Sequence, residues 1–343
     1  MKKHVASSPA RIDLAGGTLD IWPLNMLVDQ AITVNVAVDL QATAVIEDHP
    51  ATADPAAIRR VEIRSEDLDR EESWEDPASP PADSRLPLVA RCAAYFGPER
   101  GFRLTTRCAS PAGAGLGGSS ALAVSLMAAM QGFMGRSMLP PDEAVAVLRD
   151  LEAGVLGIPT GTQDHYAAIY GGAAAIRYGP GRPEREPLGI DLEKLGERLV
   201  VCYTGASRLS AGSNWDMVKS AIDGAPATRA ALSAIATIAR EMRAALLAGD
   251  LDAAGVLMGR EWDERRKLSS KVSTETIEKC IGAARAAGAI AGKVCGAGGG
   301  GCVAFLCKDG ARDAVERAVA RLEADGVSLL RAKPTAVGLQ MAG

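Results

Sequence analysis

Residues 110–130 read SPAGAGLGGSSALAVSLMAAM, with glycines at 113, 115, 117 and 118 running into two serines and an uncharged apolar stretch. Glycine lets backbone N–H groups approach a ligand closely and adopt positive φ. The first N–H groups of a helix have no partner inside the helix, and with the helix dipole they form an anion site. The chemistry this spacing suggests is therefore phosphate binding, by Pro111, Gly113, Ala114, Gly115, Leu116, Gly117 and Gly118. Ser119 and Ser120 at the helix mouth offer the hydroxyls that a magnesium-bound phosphate needs.

Other readings of the loop compete. Gly113, Gly115 and Gly118 satisfy G-x-G-x-x-G, but so do Gly296, Gly298 and Gly301. The dinucleotide fingerprint also wants an acid about 20 residues on, and the chain offers none there before Asp142. A P-loop would need Gly-Lys-Ser/Thr, which is absent. A plain strand-to-helix turn with no ligand is the remaining alternative.

The elements that must hold this loop can be read around it. FRLTTRC before it has strand character, and the helix after it is apolar on every side through Leu122, Val124, Leu126, Met127, Met130 and Phe133. Such a helix is buried, and it anchors its own N-terminus. Residues 32–48 alternate as a strand, as does RRVEIRS. The acidic, proline-rich run EDLDREESWEDPASPPADSR reads as a surface excursion, with Trp74 either stacking on a flat ligand or covering its own loop. A helix starts at Pro140-Pro141-Asp142, and YGPGRPEREPLG reads as a loop. Beyond it, ERLVVCYTG is a strand, and Leu232, Ile235, Ile238, Met242 and Leu246 form one helical stripe. STETIEKCIGAARAAG has a capped start and a glycine stop. The tail reads strand, helix, strand, the last being SLLRAKPTAVGLQ.

At 343 residues the chain suggests two domains, with a boundary near residue 190, hence 1–190 and 191–343. Its formal net charge of -4 gives no electrostatic case for nucleic acid or an acidic membrane. No apolar run approaches the roughly 18 residues of a membrane span. MKKHVASSPARIDL lacks the apolar region of a signal peptide. Seven scattered cysteines with no C-x-x-C pair, and only three histidines, fit reduced thiols and argue against a zinc centre. Cys295 and Cys302 read as small core residues. The expectation is a cytoplasmic protein.

PAGAGLGGSSA resembles the central motif of the GHMP kinases, SSPARIDLAGGTLD their first motif and KVCGAGGGGCVAFL their third, in that order. MGREWDERRKLSSKVS most resembles the branch holding D-glycero-D-manno-heptose 7-phosphate kinase and fucokinase-like enzymes. The resemblance implies an α+β, two-domain GHMP kinase fold. The N-terminal domain would be like ribosomal protein S5 domain 2, and the C-terminal domain ferredoxin-like. It also implies ATP and Mg2+ as cofactors and phosphorylation of a sugar or sugar-phosphate hydroxyl by a monomer or homodimer.

By the same resemblance Asp164 is the catalytic aspartate, accepting or orienting the proton of the attacking hydroxyl. Arg11 stabilises the transferring phosphoryl or holds Asp164. Ser119 and Glu152 are the metal ligands; otherwise Ser119 is a helix N-cap and Glu152 a helix-surface acid. Asp20 matches the carboxylate that binds substrate hydroxyls, unless it only makes a turn, and Gly17 and Thr18 lie beside it. The glycines from Gly296 to Gly301, with Gly298 and Gly299 at the centre, would line the site as a second backbone nest. Arg208, with Arg265, Arg266 and Lys267, would meet a phosphate on the acceptor or form a solvated face. His165 stands where a glutamine often follows the aspartate, as pocket variation or a plain helix residue. Gly17-Thr18 replaces the Glu-His of galactokinases, so galactose contacts are missing. Trp22 and Pro23 either shape the acceptor pocket or belong to the core. A kinase of a non-sugar alcohol such as a mevalonate-like or inositol-like polyol, a nucleotide-binding sensor without catalysis, and a dehydrogenase are the rival readings.

Overall fold

The computed structural model describes residues 3–49, 59–98, 100–205 and 211–342. The chain opens with β1 (Lys3–Ala15), the short α1 (Leu24–Leu27) and the 17-residue β2 (Ile32–Asp48). β1 and β2 pair antiparallel, with breaks in register at Pro9/Ala10 and Asp13/Ala15. Proline has no amide for the ladder, so an irregularity is where a strand interior tolerates it. β3 (Val61–Ser65), β4 (Arg70–Trp74), α2 (Pro87–Phe96) and β5 (Phe102–Cys108) follow. After the glycine loop come α3 (Gly118–Phe133), α4 (Pro141–Leu156), α5 (Gln163–Tyr170), β6 (Ala173–Arg177) and β7 (Glu184–Leu188).

The second half contributes α6 (Leu192–Arg198), β8 (Leu199–Tyr203), α7 (Ala211–Ile222), α8 (Pro226–Leu247), α9 (Leu251–Leu268) and α10 (Glu275–Ala286). It ends with β9 (Ala289–Val294), β10 (Cys302–Cys307), α11 (Arg312–Ala320), β11 (Ser328–Leu330) and β12 (Gln340–Ala342). One eight-stranded sheet runs β12-β1-β2-β5-β3-β4, with β6 on the other stretch of β2 and β7 on β6. A four-stranded antiparallel sheet runs β11-β8-β10-β9. The α+β class expected from the sequence is the one observed.

α3 buries residues on all its faces, from Ser120 to Phe133, and Ser125 settles its hydroxyl on the Ala42 and Ala121 carbonyls at 2.9 and 3.0 Å. The α8 stripe faces inward as its spacing requires. Asp250 caps α9 by accepting from Ala253 N, and Thr274 caps α10 by accepting from Ile277 N. All seven cysteines are free thiols, with Cys295 and Cys302 buried. Among the described residues, no helix is long and apolar enough to cross a membrane.

Three local readings need correction. The acidic excursion contains β4, and Trp74 is buried in the core that includes Leu86, Val89 and Phe96, neither stacking on a ligand nor lying over its own loop. The stretch read as a loop contains β7. Both strands lie at the ends of the sheet's pairing paths. Edge strands carry charges and proline, which is why REESW and EREPL do not look like strands. The tail strand splits into β11 and β12, with Pro334 between them meeting β2 only as an isolated bridge to Val38.

Candidate active site

Gly117, at φ 72°, ends the loop, and α3 begins at the next residue with no side-chain cap. Ser119 is therefore not the N-cap; it and Ser120 lie inside the first turn, and that turn's amides are left for a ligand. Only glycine fits at 117, since a Cβ there would also sit 3.0 Å from Asp164 Oδ2. At Gly115, φ 74°, a Cβ would lie 2.9 Å from the N and Cα of Gly296, so the two glycine loops cross backbone to backbone. The first loop is pinned from both sheets. Arg11 N donates to Leu116 O at 2.8 Å, and Cys302 N donates to Ala114 O at 2.7 Å.

The loop floors a cleft of about 510 Å³ that reaches Pro111, Ser119, Ser120 and Glu152. Its apolar side comes from Leu68, Leu86, Pro87 and Leu88, at or beside the run read as an excursion. That wall was missed because acidic and proline residues around it masked the short SRLPLV signal. A smaller chamber of about 100 Å³ adjoins it, lined by Gly17, Thr18, Asp20, Gln163 and Arg265 among others. Arg11, Gly161, Asp164, Gly296 and Ala297 line both cavities. Asp164 thus stands at their junction.

Arg11 grips Asp164 with both arms of its fork, Nε to Oδ1 at 2.7 Å and Nη2 to Oδ2 at 2.9 Å. Its Nη1 donates to Gly115 O at 2.5 Å and Cys295 O at 3.1 Å, tying both glycine loops to the aspartate. Burial would lower the Arg11 pKa, but Asp164 and then Asp13 outweigh it and the pKa is raised. Asp20 Oδ2 accepts from Thr162 N at 2.9 Å and Gln163 N at 3.2 Å, at the start of α5, which carries Asp164. So Asp20 holds the start of α5 and also lines the smaller chamber. Burial, and after it the nearby Asp164 charge, push its carboxyl up to about 6.

Glu152 is no surface acid: it is 6 % exposed, and Ser120 Oγ donates to its Oε2 at 2.7 Å. His165, fully buried, places Nε2 3.0 Å from the same oxygen. Burial pushes the Glu152 carboxyl up, yet His165 and then the Ser119 and Ser120 hydroxyls hold it below its ordinary value. Hard oxygen donors suit magnesium, and the Ser119, Ser120 and Glu152 oxygens are of that kind. Among the described residues, no group of three or more His, Cys, Asp or Glu could hold a metal by itself.

The basic run divides. Arg266 and Lys267 make exposed pairs with Asp263 and Glu264, each at 2.7 Å. Arg265 is buried and reaches Asp13 at 3.6 Å, Glu261 at 3.5 Å and Thr18 Oγ1 at 2.7 Å, while also lining the smaller chamber. Arg208 lies outside the described residues. Thr18 has φ 83°, rare for a β-branched residue, and the Arg265 bond to its hydroxyl holds it there. A Cβ at Gly17 would fall 2.4 Å from Asp13 Oδ2. Lys293, wholly buried, completes the network at 2.7 Å from Asp13 and 3.0 Å from Glu261. Burial raises the Asp13 pKa, but Lys293 and then Arg265 bring it below its usual value. This network escaped the sequence reading, although an acid and a lysine inside apolar strands demand partners.

Gly298 and Gly299 are not brought to the site. Gly299 N bonds Val272 O at 2.7 Å, and a Cβ on Gly298 would lie 2.4 Å from that same oxygen. Gly296 and Ala297 line the cavities instead. Trp22 is 65 % exposed and, like Pro23, lines neither cavity, so it belongs neither to the core nor to the smaller chamber.

The profile of the GHMP kinases N terminal domain matches residues 87–172, and that of GHMP kinases C terminal matches residues 242–325. The chain is 31 % identical over 209 residues to the D-glycero-alpha-D-manno-heptose 7-phosphate kinase of Campylobacter jejuni, covering 60 % of this chain and 61 % of that protein. It is 25 % identical over 337 residues to the L-fucokinase/L-fucose-1-P guanylyltransferase of Bacteroides fragilis, covering 88 % and 34 %. The chain thus spans less than two thirds of the length of these relatives. In fold it matches the crystal structure of a D-glycero-D-manno-heptose 1-phosphate kinase from Bacteroides thetaiotaomicron, with a TM-score of 0.77, 23 % identity and 99 % of each chain covered. With both terminal domains matched in order on a shared two-sheet architecture, the chain belongs to the GHMP kinases.

Proposed function

We propose that this protein is an ATP-dependent small-molecule kinase that transfers the γ-phosphate to a hydroxyl of a sugar or sugar phosphate by direct in-line transfer. The observation that carries the reading is Asp164, gripped by Arg11, at the junction of a nucleotide-sized cleft and a small polar chamber. The acceptor hydroxyl would approach from the chamber and the triphosphate would lie on the loop. The acceptor oxygen bonds to the γ-phosphorus, the bond to the ADP oxygen breaks, and the hydroxyl proton passes to Asp164. A loose phosphoryl-transfer transition state asks mainly for positioning and charge stabilisation, so orientation of the hydroxyl is the larger task of Asp164.

Ser119 and Glu152, with Ser120 beside them, would hold Mg2+, which when bound neutralises charge on the phosphates. Asp20, Gly17 and Thr18 would meet the acceptor. The sugar-directed names of the Campylobacter and Bacteroides relatives support a sugar over a non-sugar alcohol. The working state would be a cytoplasmic monomer or homodimer. An ADP-release assay over free sugars, sugar phosphates, mevalonate and inositols tests the reading. A sugar-class acceptor should turn over, and Asp164→Asn should lower kcat at least 100-fold with ATP binding kept. Turnover by that variant within about threefold of wild type would remove Asp164 from its role.

A further inference from the structure

We propose that His165 is a positioning residue that fixes the Glu152 carboxylate for the cation accompanying the nucleotide; this rests on the kinase reading. His165 follows Asp164 directly on α5, and one residue turns a helix by about 100°. Asp164 lines the cleft while His165 is fully buried against Glu152 of α4. Glu152 Oε2 takes the Ser120 hydroxyl at 2.7 Å and lies 3.0 Å from His165 Nε2. Neither ring nitrogen makes a hydrogen bond of good geometry, but Nε2 is the one 3.0 Å from the carboxylate oxygen, so the ring proton belongs on that side. Groups from α3 and α5 thereby converge on one oxygen of an α4 side chain, and a flexible glutamate is held in one place beside Ser119.

An imidazole serving only as core filling would be a poor choice. Burying it leaves both ring nitrogens without a well-formed hydrogen bond, which an apolar side chain would avoid. Outer-shell partners of metal-ligating carboxylates typically change metal affinity by about 10- to 100-fold when removed. One consequence is mechanical: because α5 carries both Asp164 and His165, a shift of that helix displaces the proton acceptor together with the group that positions the α4 cation ligand.

The test is Mn2+ binding to the full chain with AMP-PNP, read by electron paramagnetic resonance, for wild type, His165→Gln, His165→Asn and His165→Phe. The Phe and Asn variants should weaken Mn2+ about 10-fold or more, with AMP-PNP affinity without metal unchanged. His165→Gln, long enough to reach Glu152, should recover most of the loss. Equal Mn2+ affinity in the Gln and Asn variants, Mn2+ affinity in all three within about threefold of wild type, or no Mn2+ bound by wild type, overturns the assignment. The Gln and Asn pair decides the matter even if the Phe variant folds poorly. Should wild type phosphorylate no acceptor while Mn2+ binding still falls as described, the kinase reading fails and the positioning role stands. An active wild type with unmoved Mn2+ binding leaves the reverse.

Discussion

Replacing Arg11 by methionine removes four hydrogen bonds in one step, two to Asp164 and one each to the carbonyls of Gly115 and Cys295. Breaking a buried ion pair costs about 3–5 kcal/mol, because the surviving charge stays uncompensated. The Arg11 side chain is 7 % exposed but that of Asp164 is 22 % exposed, so water screens part of the loss. The lower end, about 3 kcal/mol, is the expected cost. Asp164→Asn, which keeps an acceptor for one arm of the fork, should cost less, about 2 kcal/mol. The double variant leaves neither charge stranded and should fall about 2 kcal/mol short of the sum of the singles. Urea unfolding followed by circular dichroism measures all four corners of the cycle. A loss below about 1 kcal/mol for Arg11→Met, or singles that add within about 0.5 kcal/mol, would refute the idea that this pair fixes the aspartate.

Asp20 supplies a pH signature. Its folded carboxyl titrates near 6 rather than 3.8, so its stabilising contribution is complete below pH 3.8 and is lost as pH rises through about 6. That loss amounts to about 3 kcal/mol; Asp20→Asn should therefore lose stability less steeply between pH 4 and 7, as denaturation at stepped pH would reveal. Gly115→Ala forces a Cβ to within 2.9 Å of Gly296 at φ 74° and should raise the ATP KM about tenfold or more, measured by steady-state kinetics. Lys293→Met leaves Asp13 and Glu261 short of a cation in a closed network and should cost about 3–5 kcal/mol. Lys267→Ala on the exposed face should stay within about 0.5 kcal/mol by the same unfolding assay.

What the sequence disclosed and what it hid divides along a physical line. The loop and the all-apolar α3 were legible because local composition dictates them, glycine for backbone approach and apolar residues for burial, whereas Glu152 and Asp164 were singled out only through the resemblance to the GHMP kinases. Edge strands β4 and β7 were not legible, since their charges and proline serve solvent rather than the core. Thr18 hides its left-handed backbone because the group that holds it, Arg265, comes 247 positions later. Arg265 itself looked like its exposed neighbours, and only the folded chain sorts a buried cation from a solvated one. His165 likewise gained a role only when α4 and α5 were seen side by side. Long-range partners, not local pattern, decided each of these cases.

The most direct measurement is a crystal structure with AMP-PNP and magnesium bound. The triphosphate should lie on the amides from Gly113 to Gly118 at the mouth of α3, with the base toward Leu86 and Leu88 and Asp164 facing the terminal phosphorus across the opening of the smaller chamber. A nucleotide seated elsewhere, or a terminal phosphate directed away from Asp164, would contradict the account.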